Sequence, residues 1–239
     1  MGACCESGED IRPAVPTGSI AKPANQKIEI QYFPDAYGRP APLVMLLSHK
    51  QIPYDYVTVS QEEWGQRKAA GNTGEFGGMP ILTQNGKSRQ QTNALLRQLG
   101  IQYGYYNPTD WKTAGMVDML VDTWSDVFNS ISKTLVFSPD EKKGEEMEAW
   151  KTGILTKYLT IIENQLASNA ANKFITGNSL TIADFVLACL LFNIMKNEQS
   201  PVFQLCKPVL LEYPNFGAYS KRLESELSNY LNNREKYPF

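Results

Sequence analysis

The 239-residue chain is 42% hydrophobic and 20% charged, and its 23 basic and 25 acidic residues leave a formal charge of −2. This is the composition of a soluble globular protein with core enough for one large domain or two modest ones. It holds no run of one charge sign that would suggest nucleic acid, and no apolar stretch long enough to cross a bilayer as a helix. The single histidine, His49, argues against Ser–His or Cys–His nucleophile pairs and against multi-histidine metal sites. Cys4, Cys5, Cys189 and Cys206 lack zinc spacing, the last two lie in apolar helical surroundings, and a reducing cytoplasmic compartment with no metal is the expectation.

Residues 1–26 read as a disordered or extended tail: Pro13, Pro16 and Pro23 with Gly8 and Gly18 leave no helical or strand period. Its start, Met-Gly-Ala-Cys-Cys, resembles an acylation signal with Gly2 as the myristate site and Cys4 or Cys5 as palmitate sites. Two lipid chains are what stable anchoring needs, so the pattern implies membrane association through the N-terminus. Glu6 stands where the signal has Ser or Thr.

Lys27 to Phe33 alternates apolar and polar residues as a half-buried strand. A helix is expected over Ala41–Lys50, a second alternating strand over Tyr54–Val59, and a short polar helix over Gln61–Ala70 carrying Trp64 and Lys68. The stretch Phe76–Arg97 then reads as strand, turn, strand, helix. Met79–Gln84 is the first strand, Asn85-Gly86 the turn dipeptide whose two residues accept positive φ, and Lys87–Gln90 the return. Thr92 is placed to cap a helix beginning at Ala94-Leu95-Leu96 and ending near Gly100. Met79-Pro80 puts a proline at the mouth of a strand, where it cannot donate to a ladder and a cis bond is accessible, and Gln91-Thr92 lies at a helix N-terminus, where free N–H groups favour an anion.

Beyond the connector 102–109 the pattern turns helical. Apolar residues recur at helical spacing from Val117 to Leu135, and Ser138-Pro139-Asp140-Glu141 reads as a capping box opening a helix that carries Trp150 to Leu166. Thr181-Ile-Ala-Asp184 is a second box before the very apolar Phe185–Met195, expected at the centre of a bundle, and Phe216–Leu227 is amphipathic. The order βαβαββα followed by helices predicts a thioredoxin-like α/β domain over 27–101 and an all-helical domain over 109–239.

Across 27 to about 235 the chain resembles a glutathione transferase. The resemblance is carried by Gln31-Tyr-Phe33 with Gly38-Arg39, by the hairpin Gly77–Arg97, and by Gly177-Asn-Ser-Leu-Thr-Ile-Ala-Asp-Phe185. The Tyr-Phe ending and the Trp64…Lys68 spacing are most similar to the sigma class. The resemblance implies Tyr32 as the hydroxyl that stabilises the glutathione thiolate, with Arg39 adding positive charge. It implies Trp64 and Lys68 at the glycyl end of glutathione, Met79 and Pro80 along its cysteinyl part, and Gln91-Thr92 at the γ-glutamyl carboxylate. Asp126 matches an acid that approaches the γ-glutamyl ammonium bound to a partner subunit, which implies a homodimer. Glutathione is then a co-substrate, and the helical domain supplies an apolar pocket for a small hydrophobic electrophile, with sigma-like isomerisation as a variant.

Three departures bear on that expectation. The loop after Tyr32 is about one residue longer than the family's and offers Tyr37 as a rival hydroxyl. Gly78 replaces a Lys or Gln at the glycyl carboxylate, and Asn93 replaces an apolar residue. The longer loop and Gly78, with the N-terminal tail, leave open a second class of function on the same fold, a non-catalytic membrane-tethered scaffold or a subunit of a larger assembly.

Overall fold

A computed structural model describes residues 27–239. The acylation candidates Gly2, Cys4 and Cys5 lie outside the described residues. The N-terminal part is a four-stranded mixed sheet of β1 (Ile28–Tyr32), β2 (Asp55–Thr58), β3 (Ile81–Gln84) and β4 (Lys87–Arg89), in the order β2-β1-β3-β4. β1 runs parallel to β2, with Tyr32 opposite Thr58, and antiparallel to β3, with Ile30 opposite Leu82. Helices α1 (Ala41–His49), α2 (Gln61–Ala69) and α3 (Thr92–Tyr103) complete the βαβαββα order, a thioredoxin-like arrangement.

Three local outcomes differ from the pattern read in the sequence. β3 begins at Ile81 rather than Met79, because Pro80 has no N–H to give a ladder. β2 has no buried face: all four of its residues are exposed, since it is an edge strand paired with β1 alone. α3 begins two residues early, at Thr92, and its N-cap position is Gln91, which makes no side-chain cap. The Asn85-Gly86 turn forms as expected, with both residues at positive φ.

The remainder is helical: α4 (Trp111–Phe137), α5 (Asp140–Trp150), α6 (Thr156–Ser168), α7 (Ile182–Cys189), α8 (Phe203–Val209), α9 (Pro214–Glu226) and α10 (Ser228–Asn233). Wide π-type turns join α5 to α6 through 151–155 and extend α7 through 190–195. The expected box at Ser138 does not form; Ser138 donates to Glu146 instead, and α5 starts without a side-chain cap. α8 and α10 escape sequence reading because one contains Pro208 and the other, Ser228–Asn233, has no apolar period.

α7 is buried along its whole length, and its interior start is made tolerable by Asp184. That fully buried carboxylate accepts from Thr181 N–H at 2.7 Å, Thr181 Oγ1 at 2.9 Å, Ile175 N–H at 3.2 Å and Tyr219 Oη at 2.6 Å. Burial pushes its pKa up and these four donors oppose the shift. α7 packs against α1 and α4, so one core joins the sheet region to the helices. The helix thus fixes where α4 stands relative to the end of β1.

Candidate functional site

The loop 33–40 turns sharply at the end of β1 and folds back over Tyr32. Asp35 and Gly38 both have positive φ. A Cβ on Gly38 would come within 2.3–2.6 Å of the Tyr32 ring and hydroxyl, so only glycine fits this close approach. The next residue's backbone N–H, from Arg39, donates to Tyr32 Oη at 3.3 Å. Tyr32 is 9% exposed, and burial raises its pKa against the opposing N–H and charge of Arg39. A phenol in this state keeps its proton at neutral pH, and no hydrogen bond is recorded from it to an acceptor among the described residues. It is a donor held in place and waiting for an acceptor.

The guanidinium of Arg39 sits 5.6 Å from the ring centroid of Phe128 on α4 and lines a cavity of about 460 Å³. Its other walls are Gly78 and Met79, the run Gln90–Asn93, and Ser125 and Asn129 of α4. This is ligand-sized space with a polar lining. The Met79-Pro80 bond is cis. Gln91 has φ 76°, a conformation non-glycine residues rarely adopt and which clusters at functional sites. With no side-chain cap at Gln91, the first N–H groups of α3 remain available beside the Thr92 hydroxyl, the arrangement that binds a carboxylate.

Two sets of contacts make the cavity rigid, and neither was read from the sequence. The buried Gln90 amide accepts from Phe76 N–H at 2.9 Å and donates to Thr73 O at 2.7 Å and Gly78 O at 2.6 Å. It clips the loop before Met79 to the end of β4. Across the cavity Asn93 accepts from Ser125 Oγ at 3.0 Å and donates to Asp122 at 2.8 Å, while Arg97 pairs with Asp118 at 2.6 Å and Asp122 at 2.9 Å. The polar residue at 93 is therefore a strut between α3 and α4. A buried Gln one residue before the Gln-Thr pair is the only sequence trace of the clip.

Arg39, Met79, Gln91 and Thr92 thus share one cavity; Tyr32, linked to it through the Arg39 N–H, and Pro80, buried beside Met79, are not among its lining residues. Trp64 and Lys68 do not line it. Trp64 is buried edge-on to Phe33 at 6.3 Å, and Phe33 is in turn edge-on to Tyr32 at 5.3 Å. Lys68 is exposed one turn further along α2, with no ion pair among the described residues. Asp126 is exposed on α4 and lies outside the cavity of its own chain. Tyr37, the rival hydroxyl, is committed elsewhere: it donates to Glu235 O at 3.1 Å. His49 is remote from the site, with Nδ1 2.6 Å from Tyr105 Oη.

A thioredoxin-like sheet followed by helices alone, with a polar cavity between a cis-proline hairpin and α4, is the fold class this structure defines. Residues 125–234 match the family model "Glutathione S-transferase, C-terminal domain". The chain is 30% identical over 192 residues to "Probable glutathione S-transferase 6" of Caenorhabditis elegans, covering 78% of this chain and 86% of that one. Among solved structures it is similar to a sigma class enzyme of Fasciola hepatica (TM-score 0.70, 22% identity, 90% and 99% coverage). It is also similar to prostaglandin synthase D of Nilaparvata lugens (TM-score 0.71, 21% identity, 87% and 98% coverage). The chain belongs to the glutathione S-transferase family.

Proposed function

We propose that this protein is a sigma-like transferase that joins the thiolate of glutathione to small apolar electrophiles, or uses the same thiolate for an isomerisation. The observation that carries the reading is Tyr32, a buried phenol with its proton uncommitted, its oxygen held by Arg39 N–H. Beside it lies a cavity lined by Met79 and Gln91-Thr92.

In this reading the γ-glutamyl carboxylate takes the open N–H groups and hydroxyl at the start of α3, and the cysteinyl backbone runs along Met79. Lys68, exposed on α2, is the cation assigned to the glycyl end, and Trp64, buried against Phe33, is assigned there from the resemblance. The Tyr32 hydroxyl donates to the sulfur, which favours thiolate over thiol, and the thiol proton leaves to solvent. The sulfur lone pair forms the new C–S bond, and the leaving group departs with its electron pair. Catalysis comes from the lowered thiol pKa and from holding both reactants together. Calorimetry with glutathione, followed by turnover of an aromatic halide, tests the reading. A folded protein that binds no glutathione at millimolar concentration would sink it and leave the scaffold reading.

The domains 27–101 and 109–239 are the units we assign to peptide and electrophile. A homodimer is part of the proposal, supported by Asp126 exposed on α4 and by Phe76, a large apolar side chain 62% exposed in the loop before Met79. Sedimentation of the full chain tests it. Cytoplasmic residence with tethering through Gly2 and Cys4 or Cys5 rests on the sequence pattern alone, and the intact mass of the native N-terminus decides it. Among the described residues no helix is long and apolar enough to cross a membrane.

A further inference from the structure

In the glutathione reading the electrophile approaches the sulfur from the helical side, where the surface beside Arg39 is Phe128, with Cys189, Asn193 and Ile194 around it. That surface is covered by the chain's own segment 234–239. Phe239 stacks on Phe128, with ring centroids 5.4 Å apart and planes inclined by 6°. The void left among Tyr37, Gly38, Phe128, Cys189, Ile194 and Phe239 is about 10 Å³, too small for any substrate.

The segment is not loosely laid there. Tyr37 N–H donates to Phe239 O at 2.8 Å and Tyr37 Oη to Glu235 O at 3.1 Å. Asn197 Nδ2 donates to Tyr237 O at 2.8 Å. Arg234 lies 4.5 Å from the Tyr37 ring centroid and donates from Nη2 to Phe192 O at 2.8 Å. These contacts tie the segment to the loop that carries Gly38 and Arg39, the two residues positioned against Tyr32.

We propose that Phe239 is the specificity-determining residue of the second-substrate site: it occupies on Phe128 the place an aromatic electrophile would take, and productive binding requires its displacement. The identity of the second substrate rests on the glutathione reading above. Flat aromatic electrophiles compete directly with Phe239, whereas a small alkyl halide reacts at the sulfur without reaching Phe128. The cost of displacing the segment appears as a reduced apparent affinity, in proportion to the fraction of molecules already open.

The direct test uses the unaltered full chain. Hydrogen exchange at the Tyr37 amide, which is bonded to Phe239 O, is followed with glutathione alone and with glutathione carrying a dinitrophenyl group on sulfur. The conjugate is expected to speed exchange roughly tenfold and glutathione alone to leave it unchanged; unchanged or slowed exchange with the conjugate overturns the proposal. In steady-state kinetics Phe239→Ala is expected to lower KM for an aromatic halide about fivefold relative to KM for a small alkyl halide. An unchanged or higher KM counts against it. Asn197→Ala keeps the Phe239 ring but loosens its tether, and a smaller shift in the same direction is expected; no shift in a folded protein also overturns it. If glutathione itself fails to bind, the transferase reading falls, and the occupancy of Phe128 is judged by anilinonaphthalene sulfonate. Tighter binding of that dye to Phe239→Ala than to the parent supports it, and equal binding refutes it.

Discussion

The two halves of the cavity region are built in opposite ways. On the hairpin side, Gly78, Met79 and residues 90–93 border an open space of about 460 Å³, clipped by Gln90 and braced by Asn93. On the helical side, four segments distant in sequence, the loop after β1, α4, α7 with its extension, and residues 234–239, close on one another and leave about 10 Å³. In the reading proposed above, a peptide of constant structure meets a preformed cavity, and a variable apolar partner meets packed side chains that bind by shape and must move to admit it.

The sharpest way to break that contrast is at Tyr32, which touches Gly38 of the closed half and bonds to Arg39 of the open one. Tyr32→Phe removes only a hydroxyl, so turnover is expected to fall about ten- to hundredfold, the value of a hydrogen bond to a charged group, while glutathione affinity holds. The ultraviolet absorbance of bound thiolate should fall with it. Gln90→Ala attacks the preformed half. It strands Phe76 N–H, Thr73 O and Gly78 O, and a loss of about 1–3 kcal/mol in denaturant unfolding is expected, with weaker glutathione binding in calorimetry. Retained stability would mean the clip is dispensable.

Gly78→Lys sharpens the same half in the other direction. A Cβ there meets only Phe76 O at 3.9 Å, so a side chain fits, and a cation near the glycyl carboxylate should tighten glutathione by at most about 1 kcal/mol. The smallest effect lies at His49, away from both halves. Burial first, then Lys50, holds its pKa below the usual value, with Glu226 opposing. Between the folded and unfolded pKa the unfolded chain binds more protons, so this contribution to stability is present above about pH 6.5. It is lost as pH falls through the folded value. His49→Gln should flatten that part of the profile of denaturation midpoint against pH; an unaltered slope would assign the pH dependence elsewhere.

Much of the fold was legible because its signals are local. Alternation marked β1, Asn85-Gly86 marked the turn, and Thr181…Asp184 marked the start of the central helix, since each depends on residues within a few positions of one another. The error at Thr92 is instructive. A hydroxyl before an apolar run reads as a cap, yet the helix starts on it and leaves its first N–H groups open, which is what a site for a carboxylate requires. Local propensity gave way there to a backbone conformation at Gln91 that the surrounding structure imposes.

By itself the sequence determined the βαβαββα order and the hairpin that borders the polar cavity, because hydrophobic period and turn chemistry act along the chain; the candidate tyrosine came from the resemblance alone. Only the tertiary structure decided that Arg39 meets Tyr32 through its backbone N–H, that Tyr37 is spent on Glu235, and that Phe239 lies on Phe128. Those contacts join residues as far as 198 positions apart. Nothing in local propensity constrains such pairs; they are set by where the buried α7 holds α1 and α4 and by how the last segment packs over them.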